Sequence, residues 1–383
     1  MTQIRVLSPR SVSARISRRA LLSGFGVLGA GAALGGCGRS KAVATSPAPD
    51  GEVESKLNLY SWGDYEDPAD IAKVEKAAGI TVQSDSFGSN EELIAKLAAS
   101  RGTSGYDVVV PTGIYIPQMA EHNLLQKLDH SLIPNFANID PNYRDQAWDP
   151  HNEYAVCKCW GTSGYIYDSS KISRPMETWA DFLAAAKDEA SGELSVMEDA
   201  WEVCAVWLAA EGLDINTTSA AELEDCRKAL TDDLAPHVKA YLSTVTSGVA
   251  QGSFSLMHAF NGDARQAILE VEDAAKWKYV YPTPTANLWM DTWAIATGAP
   301  HPDAAHAFIN TMLEPEIAVN EVDYIGYHTG IKNLKELASD LELDEPDLVF
   351  PDQEILDRLT PAVLRAQEER VRILNEMQSR SGA

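Results

Sequence analysis

Residues 57–82 read LNLYSWGDYEDPADIAKVEKAAGITV, and this stretch decides the fold class. Leu57-Asn58-Leu59-Tyr60 alternates apolar and polar side chains as a strand does. Asp67 is an N-cap residue type, and Pro68 after it suits the first helical position, where no N–H is needed. Ile71 and Val74 then share a helical face, and Gly79 stops the helix. Ile80-Thr81-Val82 is a β-branched second strand. Strand, helix and strand at this spacing predict a parallel, helix-covered sheet.

The same alternation continues outward. Ser89-x-x-Glu92 is a capping box opening a helix through Leu93, Ile94 and Leu97, and Tyr106–Val110 is an apolar strand stopped by Pro111. After Trp160, strands are predicted at Tyr165–Tyr167, Ser195–Met197, Phe254–Phe260 and Trp277–Tyr281. Helices are predicted at Trp179–Ala186, from Glu198 onward, and at His301–Leu313 with Ala304, Ala307 and Phe308 on one face. With 383 residues, 45% of them apolar, the chain has material for two cores rather than one.

Open α/β sheets bind ligands beyond the carboxyl ends of their strands. Here those positions repeat one chemistry. Trp62, Asp64 and Tyr65 follow the first strand, and Thr112 and Tyr115 follow the strand ending at Val110. Asp199 and Glu202 follow Ser195–Met197, and Asp263 follows the strand ending at Phe260. Trp289 and Asp291 lie in an apolar run. Aromatic faces contribute roughly 0.5–2 kcal/mol toward a desolvated cation, and carboxylates add charge-assisted hydrogen bonds. The pattern suits a cation on an apolar stem. Individually, Asp199 and Glu202 also suit a helix N-terminus, Asp64 a turn, and Trp62 and Trp289 a core. Asp291, between Trp289 and Trp293, is a costly place for an unpaired charge.

The first 36 residues hold Arg5, Arg10, Arg15, Arg18 and Arg19, no acid, and an apolar run from Ala20 to Leu34. This is the build of an export signal, too short and too rich in Gly and Ala for a comfortable span. Arg18-Arg19 resembles a twin-arginine signal, and Leu34-Gly35-Gly36-Cys37 resembles a bacterial lipobox. The resemblance implies cleavage before Cys37, its lipidation, and anchoring to the outer face of the cytoplasmic membrane. Residues 37–56 read as the lipidated Cys and a flexible tether. Loss of the leader moves the formal charge from −25 to about −30, which excludes nucleic acid and charge-driven membrane adsorption. Cys157, Cys159, Cys204 and Cys226 read as apolar fillers or cross-links, and Cys-Lys-Cys without nearby His is no zinc site.

Taken in order, several blocks resemble the spermidine/putrescine-binding proteins of ABC importers. They are Leu59–Tyr65, Gly79–Val82 with Ser89-Asn90-Glu91, Tyr106–Pro111, Asn135–Pro141, Trp160-Gly161-Thr162, Thr178–Asp181, Glu198–Val203, Trp289-Met290-Asp291 and Ile325-Gly326-Tyr327. The resemblance implies an α/β, two-lobed type II periplasmic-binding-protein fold with a hinge of two crossing strands near Cys157–Trp160 and Ala286–Trp293. Residues 57–157 and 292–328 are expected in one lobe, and residues 160–288 and 335–376 in the other. By resemblance, Trp62, Tyr65, Trp289 and Tyr327 are aromatic ligand contacts, with Phe260 at another aromatic position. Asp199, Glu202 and Asp291 hold amino groups, joined by Asp64 and Asp263. A polyamine, a membrane permease with its ATPase, and a monomeric lipid-anchored protein follow as expectations.

Two other readings use the same residues: a binding protein for another small organic cation, and a carboxylate hydrolase working in the cleft. The chain has no nucleophile elbow, no H-E-x-x-H and no phosphate-binding glycine loop. The expectation is therefore a binding protein without cofactor or metal.

Overall fold

Asp67 accepts the N–H of Ala69 at 2.8 Å and starts helix α1 (Pro68–Ala78), which Gly79 ends in the left-handed conformation at φ 70°. Strands β1 (Lys56–Trp62) and β2 (Thr81–Phe87) flank it and pair in parallel. The computed structural model describes residues 47–102 and 104–381. The export signal, Cys37 and the first part of the tether lie outside the described residues. The tether was expected to run to residue 56, but its last part is docked. The N–H groups of Asp50 and Gly51 donate to the Asp303 carboxylate, and Glu54 accepts from Ala304 N.

Helix α2 (Asn90–Ser100) has Ser89 as N-cap, accepting Glu92 N at 3.1 Å. The Glu92 carboxylate accepts from Gly88 N, one residue before the cap. Next come β3 (Val108–Val109), β4 (Leu125–Gln126), and the 14-residue β5 (Ala155–Asp168). Helix α3 (Trp179–Lys187), β6 (Leu194–Met197), α4 (Ala200–Ala210), β7 (Val238–Leu242), β8 (Leu256–Phe260), α5 (Asn261–Leu269) and β9 (Trp277–Val280) follow. The chain then returns along β10 (Asn287–Ala296) into α6 (Pro302–Met312) and α7 (Pro315–Ile325), and ends with β11 (Thr360–Pro361) and α8 (Gln367–Ser381).

The main strand path runs β2-β1-β3-β10-β5-β8-β6-β7. Parallel pairing, as expected, holds at each end: β2-β1-β3, and β8-β6-β7. The middle differs from the expectation of a parallel sheet. β10 is antiparallel to β3 and β5, and β5 is antiparallel to β8. The physical reason is connectivity: a chain that crosses from one lobe to the other must cross back, so the crossing strands oppose each other. β5 gives its first half to β10 and its second half to β8 and β9, and thus belongs to both lobes.

The protein has the two-lobed fold of periplasmic binding proteins, and each lobe has its own apolar core. Leu57, Leu59, Trp293, Phe308 and Ile309 lie in one, with Ile331, Leu334, Val349 and Phe350. Phe182, Trp201, Leu208, Leu256 and Ile373 lie in the other. Ala338, Val349 and Phe350, within residues 335–376 that were expected with the second lobe, pack in the first core. A further small cluster joins Cys159, Ile325 and Tyr327, flanked by Tyr65, Phe260 and Trp289. The four cysteines after Cys37, namely Cys157, Cys159, Cys204 and Cys226, are free and buried.

Candidate functional site

The apolar cluster between the lobes draws on both. Tyr65 comes from the β1–α1 loop, Phe260 from the end of β8, and Cys159 and Trp289 from the two crossing strands. Trp289 meets Phe260 and Tyr327 edge-on, with ring centroids 5.4 and 4.7 Å apart. Two glycines make this possible. A Cβ at Gly161 would stand 2.5 Å from the Trp289 ring, and one at Gly262 would stand 2.4 Å from the Tyr327 ring. The indole N–H of Trp289 is buried with no hydrogen-bond partner in the protein. An unsatisfied buried donor costs about 1–3 kcal/mol and invites an acceptor from a ligand or water.

Acids surround these rings. Asp291 accepts from Tyr65 Oη at 2.8 Å and from Thr112 Oγ1 at 2.7 Å, and Asn90 donates to that same Thr112 oxygen at 3.0 Å. Burial pushes the Asp291 carboxyl up to about 6, against the opposing pull of these two donors and of Lys158. Asp263, in the first turn of α5, accepts from Tyr327 Oη at 3.0 Å and is likewise raised by burial to about 6.

The second group sits at the start of α4. Asp199 caps that helix, accepting from Trp201 N at 2.8 Å and Glu202 N at 2.9 Å. Asp199 is exposed, yet the walls crowded around it desolvate and raise its carboxyl, and Glu91 of the opposite lobe adds repulsion. Glu202 is buried and accepts from Ser163 Oγ and Asn287 Nδ2, both at 2.7 Å. Burial, then the neighbouring Asp199 charge, push Glu202 up to about 8. His258 Nε2 lies 4.0 Å away but is neutral, because burial lowers it to about 3. Tyr115 donates to Glu91 at 2.9 Å, and its hydroxyl is raised by burial and by the Glu91 and Asp199 charges.

Among the described residues, none of these four carboxylates makes an ion pair with Lys or Arg. The arrangement thus presents two to four anionic acceptors and several aromatic faces, without the cations that would neutralise them. Of the residues expected from sequence, the structure brings Tyr65, Thr112, Phe260, Asp263, Trp289, Asp291 and Tyr327 into one neighbourhood. Tyr115, Asp199 and Glu202 form the second, linked to the first through Asn287 and Ser163 on the crossing strands. Two stand apart. Trp62 donates its indole N–H to Val110 O at 3.0 Å and tilts against Phe87, and Asp64 is an exposed turn residue at φ 53°.

Sequence reasoning missed several participants. Glu91 reads as an ordinary first-turn acid of α2, and Ser163 and Asn287 carry no signal of their own. The one available clue was Lys158, a single charge in the otherwise apolar run Ala155–Trp160.

Comparison with known proteins agrees with this architecture. Residues 70–344 match the family described as bacterial extracellular solute-binding protein. The spermidine/putrescine-binding periplasmic protein of Escherichia coli is 30% identical over 314 residues, covering 81% of this chain and 87% of its own. A putative spermidine/putrescine ABC transporter structure from Listeria monocytogenes superposes with a TM-score of 0.74 at 31% identity, covering 85% of this chain and 99% of that one. A lipoprotein of Treponema pallidum gives a TM-score of 0.74 at 29% identity over 84% of this chain and 99% of its own. The chain belongs to the bacterial extracellular solute-binding protein family.

Proposed function

We propose that this protein is the substrate-binding component of an ABC importer, capturing a polyamine (spermidine or putrescine) between its two lobes. The single observation that carries the reading is the set of carboxylates without an ion-pair partner where the lobes meet, Asp291 and Glu202 buried and Asp263 half-buried, interleaved with aromatic rings. A dication with an apolar stem satisfies both: its ammonium groups pair with Asp291, Asp263, Glu202 or Asp199, and its methylenes cover Trp289, Phe260 and Tyr327. Similarity to the Escherichia coli and Listeria monocytogenes proteins, whose names carry spermidine and putrescine, supports the same reading.

Because the acids come from both lobes, a bridging ligand contacts all of them only when the lobes are closed. Its differential affinity then selects the closed state about the crossing strands. The closed, loaded protein is the form presented to a membrane permease and its ATPase. Cys37 anchors the chain through lipid, in keeping with a lipoprotein among its structural relatives. In this reading the protein works as a monomeric carrier rather than an enzyme, its carboxylates serving as cation acceptors.

Calorimetry tests this reading. Spermidine or putrescine is expected to bind at micromolar affinity or tighter, about −8 kcal/mol. N-acetylation of one terminal amine removes a cation from one buried carboxylate and is expected to weaken binding sharply. Equal binding of the acetylated compound would take the carboxylates out of the account.

A further inference from the structure

We propose that Lys158 is a positioning residue of this site: a resident ammonium that ties the Ser61–Asp67 loop to the crossing strand and so presets Tyr65 and Asp291 for an incoming ammonium. The inference rests on the polyamine reading above.

It begins with the register of the crossing strands. Asp291 lies opposite Cys159 and Thr292 opposite Cys157, so Lys158 is the extra residue of a bulge with no partner across the ladder. A bulge frees its extra residue from pairing and re-aims the side chains beside it. The Lys158 side chain is almost wholly buried, and its Nζ donates to Tyr65 O at 2.9 Å and to Glu321 Oε2 at 3.1 Å. Glu66 Oε1 lies 3.5 Å away. The same ammonium stands 4.5 Å from the centre of the Tyr65 ring and 4.7 Å from that of Trp293.

Both carboxylates in this cage also grip the loop. Glu321, on α7, accepts Asp67 N at 2.8 Å, and Glu66 accepts Ser61 Oγ at 2.7 Å. The loop is thus held at Ser61, Tyr65, Glu66 and Asp67 around one cation. Tyr65 passes the constraint on: its ring and carbonyl meet Lys158, while its hydroxyl meets Asp291 and the Cys159 sulfur at 2.8 and 2.9 Å. Lys158 is the nearby cation that favours the ionised form of Asp291. The protein here solves, with its own side chain, the recognition problem that a polyamine poses: an ammonium between aromatic faces and carboxylates.

Removing Lys158 alone would strand two buried acids, which is strongly destabilising whatever the role of the lysine. The informative variant is therefore Lys158→Met with Glu66→Gln and Glu321→Gln, which leaves no lone charge. Spermidine and putrescine affinities of the triple variant and the wild type are measured by calorimetry as a function of pH. The groups facing Asp291 are Tyr65, Thr112, Cys159 and Lys158, and Lys158 alone among them is charged at neutral pH. The expected result is a folded triple variant whose affinity is lower by about tenfold or more near neutrality. Its binding is also lost at a higher pH on acidification, because Asp291 has lost its cation. Affinity and acid midpoint both matching wild type would overturn the proposal, because a merely structural ion cluster predicts that outcome.

Should the triple variant fail to fold, lysine-selective NMR of the wild type decides. Lys158 is the buried lysine among the described residues, so its ammonium is the exchange-protected one. A shift of that signal on saturation with spermidine supports the proposal, and an unmoved signal overturns it. A wild-type protein that binds neither polyamine sinks the polyamine reading itself and this inference with it. Wild-type binding with an unaffected triple variant sinks the role of Lys158 alone.

Discussion

Asp291 and Glu202 occupy matching situations at the two ends of the site, and they titrate differently. Each is nearly buried, at 6% and 4% exposure, and each accepts two side-chain hydrogen bonds. Yet Asp291 lies near 6 and Glu202 near 8. Burial is the largest cause of both rises, and a free glutamate already lies above a free aspartate; on top of this the neighbours act in opposite directions. Behind Asp291 stands the Lys158 ammonium, which favours the charge, whereas beside Glu202 stands Asp199, which opposes it. The Asp291 end is anionic before any ligand arrives. The Glu202 end holds a proton at neutral pH and gives it up when an ammonium takes its place.

The largest effect expected from this contrast is the loss of the preset charge. Asp291→Asn should weaken polyamine binding by about a hundredfold at neutral pH, because a charge-assisted contact in a dry site is replaced by a neutral one. Glu202→Gln should cost less, about tenfold, because part of its electrostatic gain in the wild type is spent on deprotonation. Calorimetric titration of both variants checks the order. Equal losses, or a larger loss at Glu202, would break the contrast.

A smaller effect concerns the unliganded protein. Asp291, Asp263 and Glu202 all have folded-state pKa values above those of the free side chains. These acids make the folded state bind more protons than the unfolded state, whereas the buried His258 and His328, both lowered to about 3, oppose them up to about pH 6.5, so the unopposed fall of stability with rising pH lies between about pH 6.5 and pH 8. Surface acids held low by partners, such as Glu153, Glu193 and Glu224, act oppositely but only in more acidic solution, below the window. Thermal unfolding followed from about pH 6.5 to pH 8 should show a fall of roughly a few degrees. Saturating polyamine should abolish the fall, since it stabilises the ionised forms. A melting temperature that climbs across this range without ligand would contradict these assignments.

The sequence made the ends of the sheet legible and left the middle obscure. Asp67, Pro68 and Gly79 punctuate α1 with local chemistry, and Ser89 does the same for α2, so both could be read from neighbours in the chain. Asp199 was legible twice over, as a helix cap and as a candidate acid, and the structure gives it the first of these roles directly. Only the end of β5, Tyr165–Tyr167, reads as a strand; the rest hid because both its faces are covered, Trp160–Gly164 shows no alternation, and Gly161 and Gly164 look like breakers. Gly161 is there because Trp289 needs the space. The contacts that shape the site were invisible for another reason. Thr112 and Asp291 are 179 residues apart, and Glu202 and Asn287 are 85 apart, so only the return of β10 beside β5 brings them together. Lys158 illustrates the limit. A lone charge in a buried strand announces a partner, but not that Glu66, Glu321 and two aromatic rings supply it.

The most direct test of the account is the proton balance of binding. Spermidine is titrated into wild-type protein at about pH 7.5 in two buffers of different ionisation enthalpy, and the difference in heat gives the protons exchanged. The account predicts micromolar or tighter binding with net proton release, as the ligand's ammonium groups drive protons off the raised carboxylates. Tight binding with no proton released would contradict the protonated Glu202 end, and no binding at all would contradict the site.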